Sequence, residues 1–265
     1  MHVNYLYLLS KLSRGLSQQP PVVLDYGCGG GEIIQAGRQA GVEIYGVDVF
    51  YEGAESRPVI QKKGWLGTVV REIRNGIIPF DDQVFDLVIS NQVLEHVEDL
   101  DSVLQEVHRV LKPDGIFLAL FPTKDIIPEK HCGIPCLHWF PKQSRLRFYY
   151  AVWLRKMGLG NFKGNKSASQ WVTDFLAWLD NFTWYRDRET IFASFEKYFR
   201  VQSIEHDYVT FRLNRHGSTM VSRIFNYPFI RPFGCELFRR LGGLVLLGAK
   251  REDPYSVRLE APKIQ

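Results

Sequence analysis

Short, continuously apolar segments alternate with helical patterns in the first half of this chain, and this alternation is the strongest constraint on its fold. Apolar runs that are rich in β-branched residues and do not alternate are typical of strands covered on both faces. Helical patterns separate these runs at Glu32–Gly41 and Leu100–Lys112. The order of strand, helix and strand predicts a mainly parallel sheet with helices on both sides. The predicted strands are Val22–Tyr26, Glu43–Val49, Phe85–Ser90, Gly115–Phe121 and a weaker one within Gly67–Ile73.

The rest of the chain predicts a helix before this sheet, an insertion after its fifth strand and two final strands. Apolar residues at helical spacing from Tyr5 to Leu16 predict an amphipathic leading helix, which the Ser17–Pro21 segment ends. Residues 124–197 are dense in aromatic side chains and predict a mostly helical insertion. Late strands are expected near Arg200–Leu213 and Gly242–Lys250. We therefore expect an α/β protein with a doubly wound, mainly parallel, seven-stranded sheet.

Composition excludes several classes of protein. The 265 residues can bury a large core, and a net charge of +4, spread along the chain, gives little reason to expect a nucleic-acid partner. No apolar run approaches the roughly 18–20 residues that a membrane span requires. The chain lacks the pattern of a secretory signal and has only four cysteines, so disulfides are not expected. These features predict a soluble, cytoplasmic protein.

A turn with very little side-chain bulk follows the first strand. Gly27, Gly29 and Gly31 alternate with other residues, and Glu32 occupies the place of the third glycine of a dinucleotide-binding G-x-G-x-x-G motif. Such a turn lets a ligand approach backbone N–H groups at the carboxyl end of a parallel strand. The carboxylates of Asp25 and Glu32 would repel a pyrophosphate. The turn therefore favours a cationic or zwitterionic ligand.

Asp48 closes the second strand, 21 residues after Gly27. A carboxylate at that place can accept hydrogen bonds from both hydroxyls of a ribose. Together with the glycine turn, it predicts a nucleoside ligand without phosphates.

Four motifs in the same order carry a resemblance to a known family. They are "LDYGCGGG", "YGVDV", the "NQVLEHV" segment and "LKPDGIFLALFP", all within Val22–Pro122. In this combination the chain resembles the class I S-adenosylmethionine-dependent methyltransferases of the small-molecule type. The resemblance implies a Rossmann-like methyltransferase fold with S-adenosylmethionine as cofactor. It also implies a division into residues 1–123 with the cofactor-binding core, a substrate-side insertion at 124–197, C-terminal strands at 198–251 and a tail at 252–265.

The resemblance also assigns roles to the residues of the glycine turn. Gly27, Gly29 and Gly31 would let the methionine part of the cofactor approach the backbone. Asp25 would hold its ammonium group, directly or through water, and Asp48 would bind the ribose hydroxyls.

Further cofactor contacts are implied at the ends of the second and fourth strands. Val49 or Phe50 would pack on the adenine, and Asn91 and Gln92 would line the sulfonium side. The chain departs from the family after the third strand, where "REIRNGIIPF" lacks the usual acidic and small residue pair that reads the adenine amino group. Glu72 or backbone groups could take the place of this pair, so the adenine contact here stays open.

His96 is the candidate catalytic residue. Methyl transfer from a sulfonium needs mainly alignment, and a base is required only when the acceptor is protonated. Gln92, Glu95 and His96 are spaced to share one face of a helix after Asn91. Three interpretations remain open for this face: a general base, hydrogen bonding within the fold, or a divalent-metal site of the Glu-x-x-Glu-His kind. Gln92 replaces the first Glu of that motif, so no metal is predicted.

A second group of possible ligands lies in the insertion. His131, Cys132, Cys136 and His138 are residue types that bind zinc, but their spacing matches no standard finger. A wall of the substrate pocket or plain packing are the alternative interpretations, with His131 and His138 as secondary candidates for the base.

The insertion is expected to close the acceptor side of the pocket. Its aromatic residues can line an apolar or ring-stacking cavity, although the helical spacing of Phe175, Leu176, Leu179 and Phe182 is more typical of core. The leading hypothesis is methyl transfer to a small-molecule, glycan or lipid-type acceptor, through oxygen. An RNA methyltransferase and a non-catalytic module with this fold are the alternatives. Contact with a membrane surface through basic residues beside the aromatic ones, as in "PKQSRLRFYYAVWLRK", is left open, and so is the oligomeric state.

Overall fold

The computed structural model describes residues 3–12, 21–51, 55–217 and 219–251. Its centre is a seven-stranded sheet in the order β3-β2-β1-β4-β5-β7-β6. Only β7 runs antiparallel to its neighbours β5 and β6. The predicted α/β class with a mainly parallel, seven-stranded sheet is therefore confirmed. The strands are β1 (Val22–Tyr26), β2 (Glu43–Asp48), β3 (Val70–Glu72), β4 (Phe85–Asn91), β5 (Leu111–Phe121), β6 (Phe199–Ser203) and β7 (Leu244–Lys250).

Helices cover both faces of the sheet. One buried cluster joins the sheet to α4 and α7, and another joins its opposite face to α1, α2, α3 and α8. The helices are α1 (Val3–Leu12), α2 (Glu32–Gln39), α3 (Ser56–Lys62), α4 (Leu100–Val110), α5 (Arg145–Lys156), α6 (Ala168–Phe182), α7 (Arg188–Glu196), α8 (Glu205–Arg215), α9 (Thr219–Phe225) and α10 (Arg231–Gly242). The leading helix is confirmed as α1, but Leu16 lies outside the described residues.

The helix α4 illustrates how local sequence produces this packing. Asp99 caps its N-terminus by accepting a hydrogen bond from the backbone N–H of Ser102 at 3.1 Å. Leu100, Leu104 and Val107 recur at helical spacing and are buried against the sheet. The amphipathic pattern therefore fixes which face of α4 meets the core.

The strand order creates a crevice at the carboxyl ends of the central strands. β1 pairs with β2 on one side and with β4 on the other. The connections from β1 and β4 consequently leave the sheet in opposite directions, which opens a ligand crevice at this point. The glycine turn after β1, Asp48 at the end of β2 and Asn91 at the end of β4 all lie at this edge. We call it the crest.

The insertion after β5 has a small core of its own. Cys132, Ile134, Leu137, Trp171 and Leu179 are among its buried members, and α5 packs on α6. Farther along the chain, α7 packs on α4 and β6 and belongs to the main core. The self-packed part of the insertion thus ends before α7, while the fourfold division of the chain stays a prediction.

One predicted strand is too long. The strand expected near Arg200–Leu213 ends at Ser203, and the rest forms α8. Apolar residues at 204, 208 and 211 recur with a helical period, and Tyr208 packs edge-on against Tyr7 of α1 with ring centroids 4.9 Å apart. Contact with α1 therefore outweighs the β-propensity of the local sequence.

No helix within the described ranges has both the length and the apolar character needed to cross a bilayer. The tail predicted after Arg251 lies outside the described residues.

Candidate functional site

The glycine turn is built against the neighbouring strand. The backbone N–H groups of Gly27 and Cys28 both donate to the carbonyl of Val47, at 2.8 and 3.1 Å. Gly27 has φ +76°, and a Cβ there would lie 2.3 Å from a methyl carbon of Val93. Any side chain at this position would therefore force the turn away from β4.

Asp48 lies directly beside this turn. Its Oδ2 accepts the backbone N–H of Gly29 at 2.9 Å, and its Oδ1 accepts that of Phe50 at 3.0 Å. A carboxylate oxygen can accept two hydrogen bonds. Each oxygen therefore retains acceptor capacity for a ligand hydroxyl while the backbone holds the carboxylate in place.

Asp25 is buried at the end of β1. Burial, and then the nearby charges of Asp48 and Glu32, raise the pKa of its carboxyl group to about 8. Three acidic residues thus share one end of the crevice, and a positively charged ligand would relieve their repulsion.

The predicted adenine contacts differ in exposure. Val49 is exposed at the end of β2, whereas Phe50 is buried in the core that contains Ile33 and Ile60. Tyr51, which follows, is half exposed, and its ring meets Phe182 of the insertion edge-on at 5.7 Å. Val49 is consequently the more accessible of the two predicted residues.

Asn91 and Gln92 connect the crest to other parts of the fold. The side-chain oxygen of Asn91 accepts a hydrogen bond from the Asn4 amide at 2.8 Å, so α1 is tied to β4. Gln92 has φ +58°, and its amide donates to the carbonyl of Leu120 at 3.2 Å. It lines a cavity of about 280 Å³ together with Asn4 and Lys130.

The helix expected after Asn91 does not form. Only Leu94–His96 makes a short 3₁₀ turn, and the positive φ of Gln92 breaks a helical path before it. The shared face of Gln92, Glu95 and His96 was therefore a wrong prediction, because the chain must turn sharply away from β4.

The insertion holds His96 in one orientation. Its Nδ1 lies 2.6 Å from the carbonyl oxygen of Phe182, which can only accept, so Nδ1 carries the proton. The backbone N–H of Trp184 donates to the carbonyl of the adjacent Glu95 at 2.7 Å. Burial lowers the pKa of His96. Its Nε2 is therefore presented as a neutral acceptor.

Glu95 is a buried carboxyl group with no hydrogen-bond partner for either oxygen among the described residues. Desolvation raises its pKa to about 7. Its Oε1 lies 4.0 Å from Nε2 of His96. A buried carboxyl group without hydrogen-bond partners destabilises the folded protein. Such a group is expected where it binds a ligand or takes up a proton.

His131 reaches the same place from the insertion. Its Nδ1 lies 2.7 Å from Oε1 of Glu129 and 3.0 Å from the hydroxyl of Tyr185. Burial alone would raise the pKa of Glu129, but hydrogen bonds from His131, Cys132 and Tyr185 outweigh it and hold that pKa at about 2. The ionised Glu129 orients the ring of His131 and leaves its Nε2 available.

Glu95, His96 and His131 form what we call the acceptor cluster. Each offers one ligand atom, and these atoms lie within 4.8 Å of one another. An orphaned carboxyl group and two imidazole nitrogens could accept a proton or hold a divalent cation. In the sequence, His131 belongs to a separate group of possible ligands, and no spacing signal joins it to His96.

The four insertion residues considered for zinc do not converge on a metal site in the described part of the chain. Nε2 of His138 pairs with the carbonyl of Lys124 at 3.0 Å. Cys132 is buried, and burial raises the pKa of its thiol. Of the four, only His131 contributes to a group of close ligand atoms.

A cavity of about 690 Å³ opens beside the acceptor cluster. Its wall includes His131 and Trp178, whose rings are 5.2 Å apart, and Trp178 also meets His96 at 5.9 Å. Three further aromatic side chains and two lysines complete much of the wall: Phe162, Trp171, Phe175, Lys130 and Lys166. Tyr149 and Trp153, by contrast, are exposed on the outer surface of α5.

The first half of the amino-acid sequence is similar to known proteins, among them a methyltransferase and an arginine-hydroxylase. A family described as a methyltransferase domain matches residues 24–119. The chain is 36% identical over 99 residues to the ubiquinone biosynthesis O-methyltransferase of Haemophilus ducreyi, covering 36% of this chain and 42% of that protein. It is 31% identical over 115 residues to the mitochondrial arginine-hydroxylase NDUFAF5 of Homo sapiens, covering 43% of this chain and 32% of that protein. The chain thus spans a third to less than half of these curated relatives.

A comparison of structures gives a weaker likeness over more of the chain. The geranyl diphosphate C-methyltransferase of Streptomyces coelicolor A3(2) aligns with a TM-score of 0.48 and 16% identity, covering 94% of this chain and 75% of that one.

The segment that the methyltransferase-domain family matches runs from within β1 to within β5, and it includes the glycine turn, Asp48 and the turn after β4. Residues 24–119 therefore form a methyltransferase domain of the class I S-adenosylmethionine-dependent family.

Proposed function

We propose that this chain binds S-adenosylmethionine at the crest and transfers its methyl group to a small-molecule, glycan or lipid-type acceptor, through an oxygen atom. The observation that carries the proposal is the pair of carboxyl groups, Asp25 and Asp48, beside a glycine-rich turn. This arrangement repels phosphates and attracts a cationic nucleoside. We further propose, from the sequence alone, that the protein is cytoplasmic.

Each crest residue has a proposed part in binding. Asp48 accepts the two ribose hydroxyls with the lone pairs that Gly29 and Phe50 leave free. Asp25 holds the ammonium group of the methionine part, directly or through water. The open backbone of Gly27, Gly29 and Gly31 accommodates the rest of that part.

The remaining proposed cofactor contacts come from the ends of β2 and β4. Val49 packs on the adenine from its exposed position, with Phe50 supporting it from the core. Asn91 and Gln92 line the sulfonium side at the end of β4.

His96 is the proposed general base for a hydroxyl acceptor. Its neutral Nε2 can take the acceptor proton while the acceptor oxygen attacks the methyl carbon and the sulfonium leaves as a thioether. Alignment of the two reactants supplies most of the acceleration. His131, oriented by Glu129, lies beside it, with the two ring centroids 5.0 Å apart.

The 690 Å³ cavity is the proposed acceptor site. Its aromatic wall suits a planar or apolar body, and Lys130 supplies a positive charge. Lys166 is paired with Asp174 at 2.6 Å, so little net positive charge remains in the cavity for a polyanion such as RNA. These features favour an apolar acceptor with at most a small anionic group.

Calorimetric titration with S-adenosylmethionine tests the cofactor site. Asp48→Ala should weaken binding about 100-fold, because two charge-assisted hydrogen bonds to the ribose are lost. Glu43→Gln, at the exposed start of the same strand, is the matched control and should bind like wild type. Equal affinities of wild type and Asp48→Ala would overturn the assignment.

A screen with a methyl-labelled donor tests the transfer itself. Pooled hydroxylated small molecules, glycans and lipids are incubated with the protein and labelled S-adenosylmethionine. Label should enter an organic acceptor with wild type and not with Asp48→Ala. Incorporation into RNA alone would overturn the proposed acceptor class.

A further inference from the structure

The segment made of α9, α10 and their connection exposes an unusual number of apolar side chains. Phe229 is 86% exposed, Phe233 79% and Met220 74%. Tyr227, Leu237 and Leu241 are exposed as well. Single exposed apolar residues need no explanation, but a contiguous set of this size on a water-facing surface marks an interaction site.

The spacing places the α10 members of this set on one outward face. Phe233, Leu237 and Leu241 stand at i, i+4 and i+8 on α10. The opposite face of the helix pair is already used, since Phe225 and Cys235 are buried where α9 and α10 pack on α8. The exposed apolar residues are therefore distinct from the residues with which the helix pair packs on the core. We call the outward surface of residues 219–242 the α9–α10 face.

The charge of this segment is one-sided. Residues 219–242 contain four arginines and a single acidic residue, Glu236. Glu236 pairs with Arg188 at 2.7 Å and with Arg240 at 3.1 Å, and Arg239 pairs with Glu205 at 3.0 Å. Arg223 and Arg231 are exposed next to the apolar residues. Aromatic and aliphatic side chains flanked by arginine are the two signals that a peripheral helix needs for an anionic membrane surface.

We infer that the α9–α10 face is a docking surface for an anionic phospholipid membrane. The aromatic side chains of the α9–α10 connection enter the boundary between headgroups and acyl chains, and the arginines meet lipid phosphates. A second copy of this chain is the less suitable occupant. A two-fold contact would bring the same arginines of both copies into one interface.

The position of the face connects it to the cavity beside the acceptor cluster. α10 ends at Gly242, whose carbonyl accepts a hydrogen bond from Lys130 at 2.9 Å. Lys130 borders both the 690 Å³ cavity and the smaller cavity that contains Gln92. A membrane under α10 would therefore lie close to the entrance of the acceptor site. This delivery of a lipid-borne acceptor rests on the proposed methyltransferase function, whereas membrane binding itself does not.

Vesicle co-sedimentation of the full chain tests the inference without cofactor or acceptor. Wild type should bind phosphatidylcholine vesicles that contain phosphatidylglycerol, and salt should weaken that binding. The double variant Phe229→Ser with Phe233→Ser should bind about tenfold or more weakly, since two aromatic rings no longer leave water. Arg223→Gln with Arg231→Gln should remove most of the preference for the anionic vesicles.

The matched control is Leu146→Ser with Tyr149→Ser, two apolar residues on α5 that are each 67% exposed. This variant should keep its vesicle affinity within about twofold. Absence of vesicle binding by wild type, or equal losses in the two double variants, would overturn the inference. So would a wild-type dimer in light scattering that only the Phe229 and Phe233 substitutions dissociate. Asp48→Ala should still bind vesicles, which separates this result from failure of the cofactor site.

Discussion

The crest and the acceptor cluster place buried carboxyl groups in opposite surroundings. Asp25 at the crest has Asp48 and Glu32 as its charged neighbours, and its pKa rises to about 8. Glu95 in the cluster has a pKa raised to about 7 by burial, although the nearby His131 and Lys130 act in the opposite direction. Both groups are costly in the absence of a ligand, but for different reasons.

This difference indicates what each place lacks. The crest has an excess of negative charge and stable backbone geometry, so it lacks a cation. The cluster already contains imidazole nitrogens beside its carboxyl group, so it lacks a proton donor or a divalent ion. Variants that affect one region and leave the other intact can therefore separate cofactor binding from chemistry.

His96→Gln should give the largest difference between the effect on the reaction rate and the effect on cofactor binding. We expect kcat to fall about 100-fold or more, because a positioned base contributes on this scale, while the affinity for S-adenosylmethionine stays within about twofold. Rates and binding are measured on the same preparation, with the exposed His216→Gln as control. An unchanged rate would leave His96 with a structural part only, and a parallel loss of cofactor affinity would contradict the separation of the two regions.

A chelator distinguishes the two possible occupants of the acceptor cluster. If His96 acts as a base alone, treatment with EDTA should leave the wild-type rate within about twofold. Loss of activity that a divalent ion restores would instead indicate a metal held by Glu95, His96 and His131, and would make the sequence-based prediction of no metal wrong. Metal content of the purified protein, measured by mass spectrometry, is the independent check.

Glu129→Gln should have a smaller effect, because Glu129 acts as a positioning residue through His131. We expect kcat to fall about tenfold, in the range found for residues that orient a functional histidine. The negative charge of Glu129 also raises the pKa of His96, so its removal should lower that pKa. The rising limb of the pH–rate profile then moves to lower pH.

The control for this variant is Tyr185→Phe, which keeps the charge and removes one hydrogen bond to Glu129, at 2.7 Å. It should leave the pH profile in place. A profile that moves to higher pH in Glu129→Gln would contradict the proposed electrostatic coupling, whatever the change in kcat.

The two regions also differ in how far sequence predicts them. Every crest residue follows directly from a strand end, so short motifs at Gly27, Asp48 and Asn91 suffice to place them together. The acceptor cluster depends on contacts such as that between His96 and the carbonyl of Phe182, 86 residues apart. No local pattern encodes the path by which the insertion returns, and so the joining of His131 to His96 was missed.

The same reasoning explains the error at the C-terminal end. The strand predicted near Arg200–Leu213 contains β-branched and aromatic residues that suit either structure. Its second half becomes helical because Tyr208 packs on α1 and the carboxylate of Glu205 is paired with Arg239 at 3.0 Å. Tertiary contacts of this kind decide segments whose local propensities are balanced.

Asp25→Asn tests whether the charge of Asp25 contributes to cofactor binding at the crest. In wild type the Asp25 carboxyl is mostly protonated below pH 8, and a bound ammonium group favours its ionised form. Affinity for S-adenosylmethionine should therefore rise roughly tenfold between about pH 6.5 and 8.5. In Asp25→Asn only the titration of the ligand remains, so the slope should be smaller. Identical slopes would show that Asp25 does not face the cation.

The smallest expected effect is on the stability of the free protein. The folded-state pKa of Asp25 lies above its unfolded value of 3.8, so its contribution to stability is fully present below about pH 4 and is lost as pH rises toward 8. Asp25→Asn has no such loss. Without ligand, the variant should therefore melt a few degrees above wild type at about pH 8.5 and close to it at about pH 5.

S-adenosylmethionine should reverse this order at the higher pH, because only wild type offers the ammonium group a full charge. A variant less stable than wild type at both pH values would show that the Asp25 carboxyl group stabilises the free protein, and would contradict this prediction.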